Sequence, residues 1–245
     1  MSEPADRQPA ETSPGAAPPA GAGPLVVLDA VAHAYARTPA LRGVSLAVAP
    51  GEVVALTGPS GGGKSTLLHV AAGLLAPQAG RVRLLGQDLA GLGEAPRAAL
   101  RRRGVGIVLQ YGQLVPDLPL VDDVALPLLL EGSALEPART AAREALALVG
   151  LEGLGDAVPA GLSGGQAQRA AVARALVAQP RLVLADEPVA SLDPEGGRQV
   201  LDLLVSVARR GGGLLLVTHD NAVAARADRE VRLSGGVVAH EAVLR

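Results

Sequence analysis

The chain has no cysteine, no tryptophan and no phenylalanine, and only two tyrosines, Tyr35 and Tyr111. Without cysteine there is neither a disulfide nor a thiolate for a metal, which suits a reducing cytosol. No sign of charge is in excess. The 22 Lys plus Arg stand against 24 Asp plus Glu, a net −2, so nothing pulls the whole molecule toward nucleic acid or an anionic membrane. Alanine and leucine are scattered among charges, and no run approaches the roughly 18 unbroken apolar residues of a spanning helix. No basic region followed by an apolar one opens the chain, so no secretory leader is read and the expectation is a soluble protein. No period of roughly 20 to 50 residues repeats, which leaves one unit and not two. Lysine is the scarcest charged residue: among the 22 basic residues only Lys64 is lysine.

That single lysine stands in Gly58-Pro59-Ser60-Gly61-Gly62-Gly63-Lys64-Ser65, which fits G-x-x-x-x-G-K-[ST]. In such a loop backbone N–H groups cradle phosphates and the lysine reaches the β/γ-phosphates. A compact ammonium on a flexible stem fits that slot and a planar guanidinium does not, which accounts for the one exception to arginine. The motif predicts a bound nucleoside triphosphate.

At 245 residues the chain can bury a core as one domain, or as one domain carrying a subdomain. Pro, Ala, Gly, Ser and Glu fill residues 1–24, which predicts a disordered tail. Leu25–Leu28, Val44–Val48 and Glu52–Thr57 read as short apolar strands, the last running into the glycine loop, and Ser65–Leu75 has helical spacing. Arg81–Leu85 and Val105–Leu109 are further strand candidates. Helices are expected over Val124–Leu130, Pro137–Val149, Gln166–Val177 and Pro194–Ala208, with Pro194 suited to a first turn. Leu182–Ala185 and Leu214–Val217 are continuous apolar runs, as central parallel strands require. Strands alternating with helices predict an α/β sheet in 25–245, with the helical middle, about 112–178, as a separate lobe. The run Arg101-Arg102-Arg103 reads as a solvated helix end suited to the helix dipole, in preference to a membrane or nucleic-acid patch.

Arg181 to Glu187 is an apolar strand ending in two acids, Asp186 and Glu187, at the edge where doubly wound sheets bind ligands. Asp186 could hold Mg²⁺ and Glu187 could polarise an attacking water; a capped strand end with a solvated acidic turn is the plain alternative. Leu162-Ser163-Gly164-Gly165-Gln166 contains an S-x-x-Q capping box, and the helix N-terminus it opens attracts phosphate by the same geometry. Leu233-Ser234-Gly235-Gly236 repeats its first four letters between two strand-like runs, where it reads as a hairpin turn, so those letters alone carry little. Asp193, ahead of Pro194, could be a simple N-cap, His219 a structural histidine, and Gln110 a polar strand end.

Order changes the weight of these elements. Gly58–Ser65, Gln110, Leu162–Gln166, Asp186–Glu187, Ser191-Leu192-Asp193 and His219 follow one another as in an ABC transporter ATPase, and the resemblance covers about residues 25 to 240. It implies a P-loop NTPase cassette with a RecA-like core sheet, an antiparallel β subdomain and a helical subdomain. It implies ATP and Mg²⁺ as cofactors and a head-to-tail homodimer in the ATP-bound state. By position, Gly58, Ser60, Gly61, Gly63, Lys64, Ser65 and Thr66 hold the phosphates, and Ser65, Gln110 and Asp186 the metal. Glu187 is the general base, Gln110 contacts the metal and its water, and His219 touches the γ-phosphate. Ser163, Gly165 and Gln166 meet the partner's nucleotide, Asp193 communicates across the dimer, and Tyr35 stacks on adenine or else packs at a strand edge. Tyr111 is a contact to the membrane partner or a local packing residue.

Leu100 to Gln110, Leu114-Val115-Pro116 and Val124-Ala125-Leu126-Pro127-Leu128 resemble the branch of lipoprotein-release, macrolide-export and cell-division ATPases. Val189, Asp123 and Leu109 depart from that branch's usual threonine, asparagine and aromatic. The resemblance implies an integral-membrane permease as partner, a position on the inner face of the cell membrane through that permease, and no nucleic acid. The function it implies is that of an ATP-hydrolysing subunit powering a membrane complex, in export or mechanotransmission, through ATP-driven dimerisation; a small-solute importer subunit is the alternative, or a soluble ATPase of a cytosolic assembly such as iron–sulfur cluster delivery.

Overall fold

The computed structural model describes residues 23–110 and 113–245. Tyr111, and all of the expected tail except Gly23 and Pro24, lie outside the described residues. In chain order the strands are β1 (Val26–Tyr35), β2 (Thr38–Val48), β3 (Val53–Thr57), β4 (Ala79–Leu84), β5 (Gln87–Asp88), β6 (Val105–Val108), β7 (Leu182–Asp186), β8 (Gly213–Val217), β9 (Arg229–Ser234) and β10 (Val237–Val243). The helices are α1 (Lys64–Ala71), α2 (Glu94–Gly104), α3 (Leu120–Leu130), α4 (Leu135–Leu148), α5 (Gly164–Leu176), α6 (Pro194–Arg209) and α7 (Asn221–Ala224).

Two sheets form. An antiparallel sheet runs β2-β1-β4-β5, and a larger one runs β10-β9-β3-β8-β7-β6 with every neighbouring pair from β9 to β6 parallel. Strands β3, β7 and β8 are buried at every position, as both faces of a parallel sheet are covered. Their alternation divides the interior in two. Val53, Ala55, Val183, Ala185, Leu214 and Leu216 belong to a core shared with α3, α4, α5 and α6. Val54, Leu56, Leu182, Leu184, Leu215 and Val217 belong to a core shared with α1 and the antiparallel sheet. Each valine or leucine among them, fully buried, contributes about 1.5–3 kcal/mol relative to leaving it exposed.

Helix ends follow local chemistry. Helix α1 stops at Ala71, short of the expected Leu75, because Gly73 adopts φ +65. The Gly73 N–H bonds the Val70 carbonyl and the Leu74 N–H bonds that of His69, a Schellman termination. Helix α3 starts at Leu120, not Val124. Asp122 and Asp123 break the apolar pattern there, yet carboxylates belong in a first turn. Strand β2 reaches back to Thr38 past Pro39, which its edge position in the sheet tolerates. The β9–β10 turn at Gly235 and Gly236, with φ of 57 and 81, is a hairpin turn as expected of the repeated letters.

The arginine run ends α2 as expected, with Arg103 exposed. Arg101 departs from a solvated helix end: it is largely buried and donates to the Gly73 carbonyl at 2.9 Å. Arg102 and Arg103 both bond Glu131, the residue capping α3, and so link the ends of α2 and α3.

Candidate active site

Strands β3, β8, β7 and β6 are consecutive neighbours and parallel, so their carboxyl ends share one edge. The glycine loop follows β3, His219 follows β8 by two residues, Asp186 ends β7 with Glu187 next, and Gln110 lies just past β6. Ligands bind at such edges because loops diverge there and leave a crevice.

The loop is seated by backbone contact. A Cβ at Gly58 would lie 1.9 Å from the Leu233 carbonyl oxygen, and one at Gly63 2.4 Å from that of Ala40, with φ of 130 and 99. Only glycine satisfies both demands. Gly63 caps α1 in the left-handed conformation without a side-chain cap, so the first-turn N–H groups are left for an anion. Lys64 folds back on the loop, donating to the carbonyls of Gly58 at 2.9 Å and Pro59 at 3.0 Å. Ser65 is exposed and Thr66 buried. Tyr35, 52% exposed, lines a cleft of about 300 Å³ with Gly61, Gly63, Lys64, Ser65 and Thr66, and with Thr38, Pro39 and Ala40. Its ring meets His33 edge-on at 5.0 Å. A tyrosine face beside a phosphate loop suits a purine base. Thr38 to Ala40 went unnoticed in the sequence because a proline in a strand gives no binding signal.

Asp186 is buried and Glu187 nearly so, with its backbone N–H on the Val217 carbonyl at 3.0 Å and φ at +48, in the left-handed region. A non-glycine residue held there costs about 1 kcal/mol or more, a strain that concentrates at functional sites. Its Oε1 lies 2.7 Å from Nδ1 of His219. That hydrogen bond, then the carboxylate charge, raises the His219 pKa above the ordinary imidazole value, while the Lys64 ammonium opposes the rise. Ser65, Gln110 and Asp186 offer a hydroxyl, an amide oxygen and one carboxylate. All are hard oxygen donors, a set that fits Mg²⁺ completed by substrate phosphates.

Ser163, Gly165 and Gln166 sit elsewhere. The Ser163 hydroxyl accepts from the Gln166 N–H at 3.2 Å, and Gln166 Oε1 from the Ser163 N–H at 2.9 Å, closing the capping box. A Cβ at Gly165 would lie 3.3 Å from Ser191 and Leu192, so this helix start abuts the segment leading to Asp193. Asp193 caps α6, accepting from Glu195 and Gly196, and the Gly196 N–H first among these bonds holds its carboxyl below the usual range. Asp193, Glu187 and His219 line a second cleft of about 560 Å³. None of Ser163, Gly165 and Gln166 lines either cleft. One chain therefore holds a phosphate loop and a capped helix start that do not meet.

The model of the ABC transporter family matches residues 41–190. The chain is 50% identical over 203 residues to the lipoprotein-releasing system ATP-binding protein LolD of Ruegeria pomeroyi, covering 82% of this chain and 89% of that one. It is 46% identical to the LolD of Cereibacter sphaeroides, covering 87% and 98% of the two chains. Among solved structures, a dimeric post-hydrolysis state of the ATP-binding cassette MJ0796 bound to ADP and phosphate superposes with a TM-score of 0.86 at 35% identity. It covers 90% of this chain and 99% of that one.

Proposed function

The chain belongs to the ABC transporter family, and from that premise we propose how its own residues carry the work. It is an ATP-hydrolysing subunit that powers a membrane ABC complex through ATP-driven dimerisation. Residues 25–245 act as one cassette with a helical subdomain at about 112–178. The finer reading is service to a lipoprotein-releasing system through an integral-membrane permease, on the inner face of the cell membrane. The names carried by its relatives support that reading.

The reaction is ATP + H₂O → ADP + phosphate, and catalysis is positioning plus electrostatics around an in-line attack. Lys64 exchanges its two loop carbonyls for phosphate oxygens. Tyr35 stacks on the base, and the open start of α1 holds phosphate. Glu187 accepts the proton of the attacking water, with His219 fixing its carboxylate. Bound Mg²⁺, held by Ser65, Gln110 and Asp186, supplies positive charge at the phosphates. Ser163, Gly165 and Gln166 close over the partner's nucleotide, and Asp193 links the two sites.

The observation that carries this reading is the shared edge: four adjacent parallel strands deliver Lys64, His219, Glu187 and Gln110 to the same end of the sheet, where the Lys64 charge is felt at His219. The test is purification of tagged Glu187→Gln protein with ATP from detergent-solubilised membranes of its own host. A co-eluting polytopic permease with a large extracytoplasmic domain is expected. Recovery with cytosolic proteins alone would overturn the membrane assignment.

A further inference from the structure

The letters Leu233-Ser234-Gly235-Gly236 join β9 to β10 and have no part in the chemistry assigned so far. Ser234 and Gly235 are exposed, but Leu233 and Gly236 are buried. Their main-chain atoms lie against the segments that form the phosphate loop. The Leu233 carbonyl oxygen would lie 1.9 Å from a Cβ on Gly58 and 3.2 Å from one on Gly62. A Cβ on Gly236 would lie 2.8 Å from the Ala40 carbonyl oxygen, the same oxygen that bars a Cβ on Gly63 at 2.4 Å. The Gly236 carbonyl accepts from the Arg42 N–H at 2.8 Å, which ties the turn to β2.

The turn thus backs the loop at both ends. Leu233 backs its first glycine directly, and Gly236 backs its last through one peptide of β2, with the Ala40 carbonyl between two glycines. Gly63 is the N-cap of α1, so its placement sets where the first-turn N–H groups point. Backbone packed on backbone has no rotamer with which to absorb a misfit, so a shift at Gly236 is passed to Ala40 and on to Gly63. Ala40 also lines the cleft of Tyr35 and Lys64. The turn between β4 and β5 provides a contrast. Leu85 and Gly86 there have φ of 49 and 83, close to the 57 and 81 of Gly235 and Gly236. Gly86 is exposed, however, and a Cβ on it would meet nothing within 4 Å.

We propose that the β9–β10 turn is a positioning element for nucleotide binding, acting through Gly236. It holds Gly63, by way of the Ala40 carbonyl, where the open start of α1 can take phosphate. The proposal rests on the reading of Gly58–Ser65 as the ATP site. It gives the second run of these four letters a task on the chain's own nucleotide, whereas the first is assigned to the partner's.

Gly236→Ala and Gly86→Ala, made in the full chain, test it as a matched pair. Each puts a Cβ on a residue of nearly equal positive φ, so the backbone strain is shared and only the neighbour differs. Calorimetric titration with ATP, at a temperature where both variants are folded, should show affinity about tenfold weaker in Gly236→Ala and less than about twofold weaker in Gly86→Ala. Equal affinity in the two overturns the proposal. If Gly236→Ala does not fold, hydrogen exchange on the wild-type chain decides the matter. ATP should slow exchange at the Arg42 N–H and leave the β4–β5 turn unchanged; no slowing at Arg42 overturns the proposal equally. Lys64→Ala, titrated alongside, separates the two levels. If it binds ATP as wild type does, the reading of the site fails; if it loses ATP while Gly236→Ala keeps it, only the role of the turn fails.

Discussion

The carboxyl edge of the parallel sheet and the start of α5 both hold groups proposed to meet a nucleotide, the first the chain's own and the second the partner's, yet they are built by different means. At the sheet edge the backbone does the holding. Gly58 and Gly63 lie against carbonyl oxygens of other strands, and Glu187 is held at φ +48 by a main-chain bond to Val217. At α5 and at Asp193 side chains do it, through the Ser163–Gln166 box and the Asp193 cap, and a Cβ at Gly165 would meet its nearest neighbours at 3.3 Å, tight but without the overlap found at Gly58. The contrast separates two kinds of fragility. Changes at the sheet edge should damage the fold and the chemistry together, whereas changes at the helix start should cost the fold little and act on the chemistry proposed between subunits.

The largest effect sharpens the comparison on the chemical side. Glu187→Gln should lower turnover by about 100-fold or more, the scale of a lost general base, while equilibrium binding of ATP is retained. Single-turnover kinetics and size-exclusion with ATP would check both halves, and normal turnover would break the assignment. Next come the paired glycines. Gly58→Ala forces a Cβ into the Leu233 carbonyl and should cost about 3 kcal/mol with loss of ATP binding. Gly165→Ala meets only a contact of 3.3 Å and should stay within about 1 kcal/mol of wild type in denaturant, yet lose turnover. Equal destabilisation at the two glycines would erase the distinction drawn here.

Ser163→Ala removes one half of the capping box and should cost about 1 kcal/mol, read as a shift in the denaturation midpoint at unchanged slope. The smallest effect belongs to His219, whose side chain is 73% exposed. Because Glu187 raises its pKa, the folded chain holds the proton more tightly than the unfolded one. The pair's small stabilisation is therefore fully present below the ordinary imidazole value and is lost as pH rises through the raised one. In Glu187→Gln the imidazole titration, followed by NMR, should move back down toward the ordinary value.

Much of this was legible before any coordinates. The lysine loop is contiguous, so its chemistry is local and needs only the strand before it and the helix after it. The continuous apolar runs of β7 and β8 announce a parallel sheet covered on both faces, and the capping box at Ser163 is written in four consecutive residues. The reading thinned where partners are distant. Arg101 read as part of a solvated helix end, yet it is largely buried against the Gly73 carbonyl, and Glu131 comes from another helix to meet Arg102 and Arg103. Nothing near Asp123 indicated a fully buried carboxylate, because its partner Arg174 comes from another helix.

Local patterns along the chain set the phosphate loop, the alternation of strands and helices, the capped helix starts and the order of the motifs. These depend on backbone conformation and on neighbours within a few residues. Long-range packing alone puts Tyr35 in one cleft with Lys64, bonds Glu187 to His219, and brings Arg174 of α5 onto Asp123 of α3 and the Gln113 carbonyl. Those contacts join segments far apart in the chain. They form only where burial of the two cores has already fixed the strands and helices, because a side-chain hydrogen bond adds too little net free energy to assemble them itself.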